Sequence, residues 1–163
     1  MADYTHFNKE GRPTLVDVSG KETTLRTAWA EAWLDVPESI YEVISQGNVK
    51  KGNPFPIAEL AGIMGAKKTP EIIPLCHNIR LDNVTVKCEL DEKDNSVHIT
   101  SEATAREVTG VEMEALTAVA TAALCFYDMC KALDKGMVIR NIRLLKKSGG
   151  KSGEWTAEGG YKR

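Results

Sequence analysis

TLRTAWAEAWLDV, residues 24–36, carries two periodicities at once, and the choice between them decides the fold. Leu25, Trp29, Ala32, Trp33 and Val36 fit one stripe of a helix. Leu25, Trp29 and Trp33 also share one strand parity, with Ala28, Ala30, Ala32 and Leu34 on the other. The alanines lean the propensity toward helix. From these residues alone both readings stay open.

Upstream, residues 1–13 are polar and aperiodic, as a flexible N-terminal arm would be. Residues 14–18 are expected to form a short edge strand. Downstream, Asp35, Pro37 and Glu38 open a helix that Gly47 stops, framing SIYEVISQ. Lys50-Lys51-Gly52 is a basic turn, and Asn53-Pro54 opens a second helix running through Leu60 and Met64 to about Gly65. Thr69-Pro70 starts one further turn that ends by Pro74, and Leu75-Cys76-His77 leads toward a strand. Val84, Val86, Cys88 and Leu90, then Val97, Ile99, Ala103 and Ala105, alternate with polar residues around a turn at 91–95. That pattern predicts a hairpin with one wet face.

Residues 109–136, TGVEMEALTAVATAALCFYDMCKALDKG, read as one long helix. Thr109 with Glu112 forms a capping box, and Lys135 with Gly136 a terminus. Between Ala115 and Leu133 only Asp128 and Lys131 are charged, so burial is expected on most sides. Glu114, Thr117, Thr121, Asp128 and Lys131 fall within an arc of about 100°. A polar seam on a buried helix is either a structural Asp128–Lys131 ion pair or one wall of a site that needs an acid and a base. Glu114 and Asp128 lie roughly 21 Å apart along such a helix. One small reacting group cannot meet both ends of the same helix, so either the ends serve different parts of a long substrate or the helices of two copies converge on a shared site, which favours an oligomer. A strand over 137–145 follows, and residues 148–163 are expected as a flexible Gly/Lys-rich tail after a single domain of residues 14–147.

The 163-residue length suits one domain, and a net charge of −2 argues against broad nucleic-acid binding. Four cysteines without CxxC spacing are expected as reduced thiols of a cytoplasmic protein. No apolar run is expected to span a membrane, and the N-terminus is no signal peptide. Gly150-Lys151-Ser152 fails as a P-loop because Leu145 stands where the first glycine belongs. A glycine turn with Lys146, Lys147 and Lys151 could still close on a phosphate, although a disordered basic tail explains that stretch as simply. Adjacent Cys76 and His77 lack zinc-site spacing, so His77 reads as a proton donor or hydrogen-bonding residue or, equally simply, a structural histidine.

The strings KKTPEIIPLCH (67–77), TGVEMEALTA (109–118), LCFYDMCKA (124–132), MVI (137–139) and RLLKKSGGKSG (143–153) closely resemble the MoaC family of cyclic pyranopterin monophosphate synthases, of molybdenum cofactor biosynthesis. The resemblance runs from about residue 14 to residue 153. It implies a ferredoxin-like α+β fold, β-α-β-β-α-β, with an antiparallel sheet, helices packed on one face and residues 24–36 as the first strand. It implies a lyase that turns a cyclised 3′,8-linked dihydro-GTP, made by a radical-SAM partner enzyme, into cyclic pyranopterin monophosphate and diphosphate. No redox cofactor is implied, though Mg²⁺ could accompany the triphosphate. A homohexamer, a trimer of dimers with the site at the dimer interface, is implied as well. By the same resemblance Asp128, Lys131 and Lys51 are catalytic. Leu75, Cys76, His77, Glu112, Met113 and Glu114 bind substrate, and Lys67 and Lys147 contact the triphosphate.

Two other functions use the same residues. A purine-nucleotide-binding regulatory module would bind without turnover. A single-stranded RNA-binding sheet would need exposed aromatics on its strands, and residues 81–90 and 97–108 have none.

Overall fold

The computed structural model describes residues 6–157. Within them the chain runs β1 (Thr24–Asp35), α1 (Glu38–Ser45), α2 (Pro54–Lys67), α3 (Thr69–Ile72), β2 (Asn83–Asp91), β3 (Ser96–Glu107), α4 (Glu112–Cys130), β4 (Val138–Ser148) and β5 (Trp155–Thr156). The ambiguous stretch is therefore a strand. Its alternation outweighs its alanine content because one parity has a helix to cover it. Ala28, Ala30, Ala32 and Leu34 are wholly buried, whereas Trp29 and Trp33 lie half-buried on the opposite face.

β1 sits at the centre, antiparallel to β3 on one side and β4 on the other. The full order is β2-β3-β1-β4-β5, all antiparallel, giving the α+β, ferredoxin-like arrangement. Small residues explain how closely the layers approach. Ala115, Ala118, Val119, Ala122 and Ala123 of α4 are wholly buried, as are Ala103 and Ala105 of β3. Ser101 of β3 donates a 2.8 Å hydrogen bond to the Ala115 carbonyl, which ties helix to sheet. Phe126 fills the far end of this core, edge-on to Phe55 of α2 with ring centres 5.1 Å apart. α2 crosses α4 at Gly62 and Gly65, where Ala118 and Thr121 leave no room for a side chain.

The outer face of the sheet carries a polar network. Glu31, only 7% exposed, accepts from His98 Nε2 and Arg143 Nε at 2.8 Å each. Burial works to raise its pKa, but those two partners outweigh it and the net direction is down. Trp33 stacks on the His98 ring at 4.0 Å.

Several expectations need correction. Residues 14–18 form no strand; the Val16 carbonyl instead accepts a 2.8 Å hydrogen bond from His77 Nε2, which ties the segment to the loop before β2. The Thr109–Glu112 capping box does not form, because α4 begins at Glu112 itself with Val111 at the cap and no side-chain cap bond. The helix also ends early. Lys131 is its C-cap, and Lys135 instead offers its carbonyl to the Tyr127 hydroxyl at 2.9 Å. Residues 148–157, expected within a flexible tail, turn back so that β5 pairs with β4 at Lys146 and Lys147. Residues 158–163, like 1–5 of the arm, lie outside the described residues. α4 is long and apolar enough by composition to cross a membrane, contrary to expectation, yet here it is the core helix packed on β1, β3 and α2.

Candidate functional site

Two cavities adjoin at the start of α4. The larger, about 720 Å³, lies between Arg26 and Thr27 of β1, the 108–112 segment and the 147–152 turn, with Lys21 at its rim. The smaller, about 300 Å³, is bounded by Leu75, Cys76 and His77 on one side and Met113 and Glu114 on the other. Lys21, Thr109, Gly110 and Glu112 line both. A single ligand with an anionic end and a ring end could therefore reach from one into the other.

Local structure explains the smaller cavity. α3 is a single turn that throws the chain out at Ile73, so Leu75, Cys76 and His77 run along the cavity wall. Because α4 starts at Glu112, Met113 and Glu114 fall in its first turn. Glu114 is 2% exposed, and burial pushes its carboxyl up to about 7, helped by the neighbouring Glu112. Burial likewise raises the Cys76 thiol, with Glu114 adding to the effect. This cavity thus holds a carboxyl poised to exchange a proton near neutral pH.

The larger cavity is cationic on its turn side. Lys147 and Lys151 line it, and Lys147 Nζ is held by a hydrogen bond to Ser152 Oγ. Lys146, named with them from the sequence, points the other way, to the outer sheet face over the Trp29 ring at 5.3 Å. Lys146 and Lys147 are consecutive residues in regular pairing with Trp29 and Ala28, so ordinary strand alternation sends them to opposite faces.

A second charged group sits at the far end of α4. Lys51 Nζ donates to the Asp128 carbonyl at 2.9 Å and lies 3.3 Å from Oδ2. Lys131 Nζ is 2.6 Å from Asp128 Oδ1. The hydrogen bond from Lys131, then that from Lys51, holds the Asp128 carboxyl below its usual range, and Asp128 raises Lys131 in turn. The buried seam expected from the sequence holds only at the first end. The Asp128 and Lys131 side chains are 58% and 51% exposed, and Leu124, one turn earlier on the same side, is exposed too.

The structure thus brings together Leu75, Cys76, His77, Glu112, Met113 and Glu114, with Lys147 in the adjoining cavity. It separately gathers Lys51, Asp128 and Lys131, which line neither cavity within the protomer. Lys67, expected to contact phosphate, is the exposed last residue of α2 and is also outside both. Arg26 and Lys21 were missed. Arg26 left a signal, because it continues the parity of Ala28, Ala30 and Ala32, where a charge is out of place unless a site lies at that end.

Residues 15–150 match the family model described as the MoaC family. The chain is 50% identical over 158 residues to a cyclic pyranopterin monophosphate synthase of Lysinibacillus sphaericus, covering 96% of this chain and 99% of that one. It is 51% identical over 153 residues to the same-named protein of Rhodospirillum rubrum, covering 94% and 92%. A third similar protein of that name, from Corynebacterium glutamicum, is 49% identical over 158 residues and covers 97% and 100%.

Proposed function

The chain belongs to the MoaC family, and on that premise we propose that it is a cyclic pyranopterin monophosphate synthase. It takes (8S)-3′,8-cyclo-7,8-dihydroguanosine 5′-triphosphate, the product of a radical-SAM cyclase, and releases cyclic pyranopterin monophosphate and diphosphate. One observation carries this reading: a cationic cavity and an acid-lined cavity share Glu112 and Thr109 as a common edge.

The triphosphate lies in the larger cavity against Lys21, Lys147 and Lys151, which offset its charge and that of the departing diphosphate. The purine-derived rings enter the smaller one beside Glu112, Glu114 and His77. In the cyclisation a sugar hydroxyl oxygen attacks the α-phosphorus, the bond to the bridging oxygen of diphosphate breaks, and the hydroxyl proton goes to a base. The ring rearrangement needs protons delivered and removed as well. Neither step exchanges electrons with the protein, so the reading includes no redox cofactor.

Asp128, Lys131 and Lys51 supply further acid and base groups from another copy of the chain. Roughly 21 Å of helix separates them from Glu114 in their own protomer. Their exposure supports delivery across a dimer interface; the reading sets that dimer within a cytoplasmic hexamer. Incubation with the cyclised nucleotide tests the proposal. Equal amounts of cyclic phosphate and free diphosphate are expected, and tight binding without product would overturn it in favour of a binding module.

A further inference from the structure

Arg26 is committed to the protein on three sides. Its Nε donates to the Glu107 carbonyl at 3.2 Å and its Nη2 to the Val108 carbonyl at 3.1 Å. One edge of the guanidinium is thereby spent on the backbone that leads into α4. The remaining nitrogen, Nη1, lies against Gly150 where a β-carbon would overlap it. Gly149 packs as tightly on the Leu25 carbonyl, and both glycines hold positive φ, +98° and +70°. Only glycine takes that path without strain and with this clearance. Arg26 therefore touches both segments that wall the larger cavity.

We propose that Arg26 is a positioning residue that clamps the 147–152 turn to the segment leading into α4, fixing Lys147 and Lys151 relative to Glu112. The proposal rests on the larger cavity being the triphosphate site, but the clamp itself is a property of the empty protein. A lysine at this position would keep the charge and could reach a phosphate, but it lacks the planar fork that meets two adjacent carbonyls and a third surface. Arg26→Lys therefore separates a clamp from a simple phosphate cation.

The test has two readouts on the full-length protein. In ligand-free Arg26→Lys, amide hydrogen exchange at residues 107–111 and 147–153 is expected to quicken about tenfold, with the α4 core amides unchanged. Unchanged exchange in either segment overturns the clamp. Diphosphate affinity is then compared in wild type, Arg26→Lys, Lys147→Ala and the double variant. The clamp predicts that Arg26→Lys loses about tenfold despite its charge, and that Lys147→Ala costs less in its background than alone. Retained affinity, or fully additive losses, would make Arg26 an independent ligand and reject the clamp. If wild type binds no diphosphate, the cavity reading fails while hydrogen exchange still decides the clamp. Gly150→Ala, which crowds Nη1, gives the same exchange readout if Arg26→Lys does not fold.

Discussion

The carboxylate of Glu112 occupies the space beside Gly110 that a β-carbon would take, so the side chain folds back over its own approach segment. That posture puts Glu112 on the edge shared by the two cavities. Gly110 is thus the residue that lets an acid at the first position of α4 face both cavities.

Gly110→Ala should push that carboxylate aside and lower kcat/KM by about 10- to 100-fold, the scale of a misplaced catalytic contact. Thermal stability should change little. Steady-state kinetics beside a melting curve checks this, and wild-type kinetics would mean that Glu112 needs no such placement.

Asp128 is the common partner of Lys51 and Lys131. Asp128→Asn and Lys51→Ala should each cut turnover by at least about 100-fold, as removal of an acid–base group does. Binding of diphosphate should survive, because Lys21, Lys147 and Lys151 of the cationic cavity are untouched. Calorimetry with diphosphate and an assay of product formation separate the two effects; normal turnover in either variant would remove that residue from the mechanism.

Burial pushes the Glu114 carboxyl from its ordinary 4.5 up to about 7. The folded chain therefore holds a proton that the unfolded chain gives up between those values, and stability falls as pH rises through that window. Glu114→Gln should abolish this slope and stabilise the protein at pH 8 by roughly 1–3 kcal/mol. Denaturant melts at pH 4.5 and 8 measure it, and parallel pH dependences in the two proteins would contradict the assignment. Activity should fall in the same variant, since the proton would be lost with the carboxyl.

Gly62 marks the crossing of α2 over α4. A β-carbon there would lie 2.9 Å from the Ala118 carbonyl and 3.0 Å from a Val86 methyl. Alanine gains about 1 kcal/mol in helix propensity, but overpacking against backbone costs about 1–3 kcal/mol. Gly62→Ala should lose up to about 2 kcal/mol net, read as a lower denaturation midpoint; a gain in stability would show that α2 can shift freely.

Much of the sheet was legible because its strands alternate cleanly. Residues 24–36 were the exception: the side chains fit either period, and only a helix lying over Ala28, Ala30 and Ala32 decides between them. The boundaries of α4 were misread at both ends for a local reason. Thr109 and Gly136 are good cap residues, but Gly110–Val111 must turn first, and the chain leaves the helix once Cys130 has been buried. The clustering of residues 75–77 with 112–114 is consistent with the family motifs, although no spacing in one sequence gives a contact between separate segments. Lys67 and Lys147 look alike as basic residues beside turns. One ends a helix in the open, while the other is held inside a glycine-shaped turn, and composition cannot tell those situations apart.

In the dimer-shared site proposed above, α4 carries the acid-lined cavity at its beginning and the Lys51–Asp128–Lys131 group at its close, so each working centre would borrow from two different molecules. Damage at one end and damage at the other need not fall in the same place. Subunits bearing Glu114→Gln mixed with subunits bearing Lys51→Ala should recover part of the turnover that neither preparation has alone, since some shared centres would combine both intact halves. A mixture as dead as its parents, after verified subunit exchange, would mean that every protomer works alone.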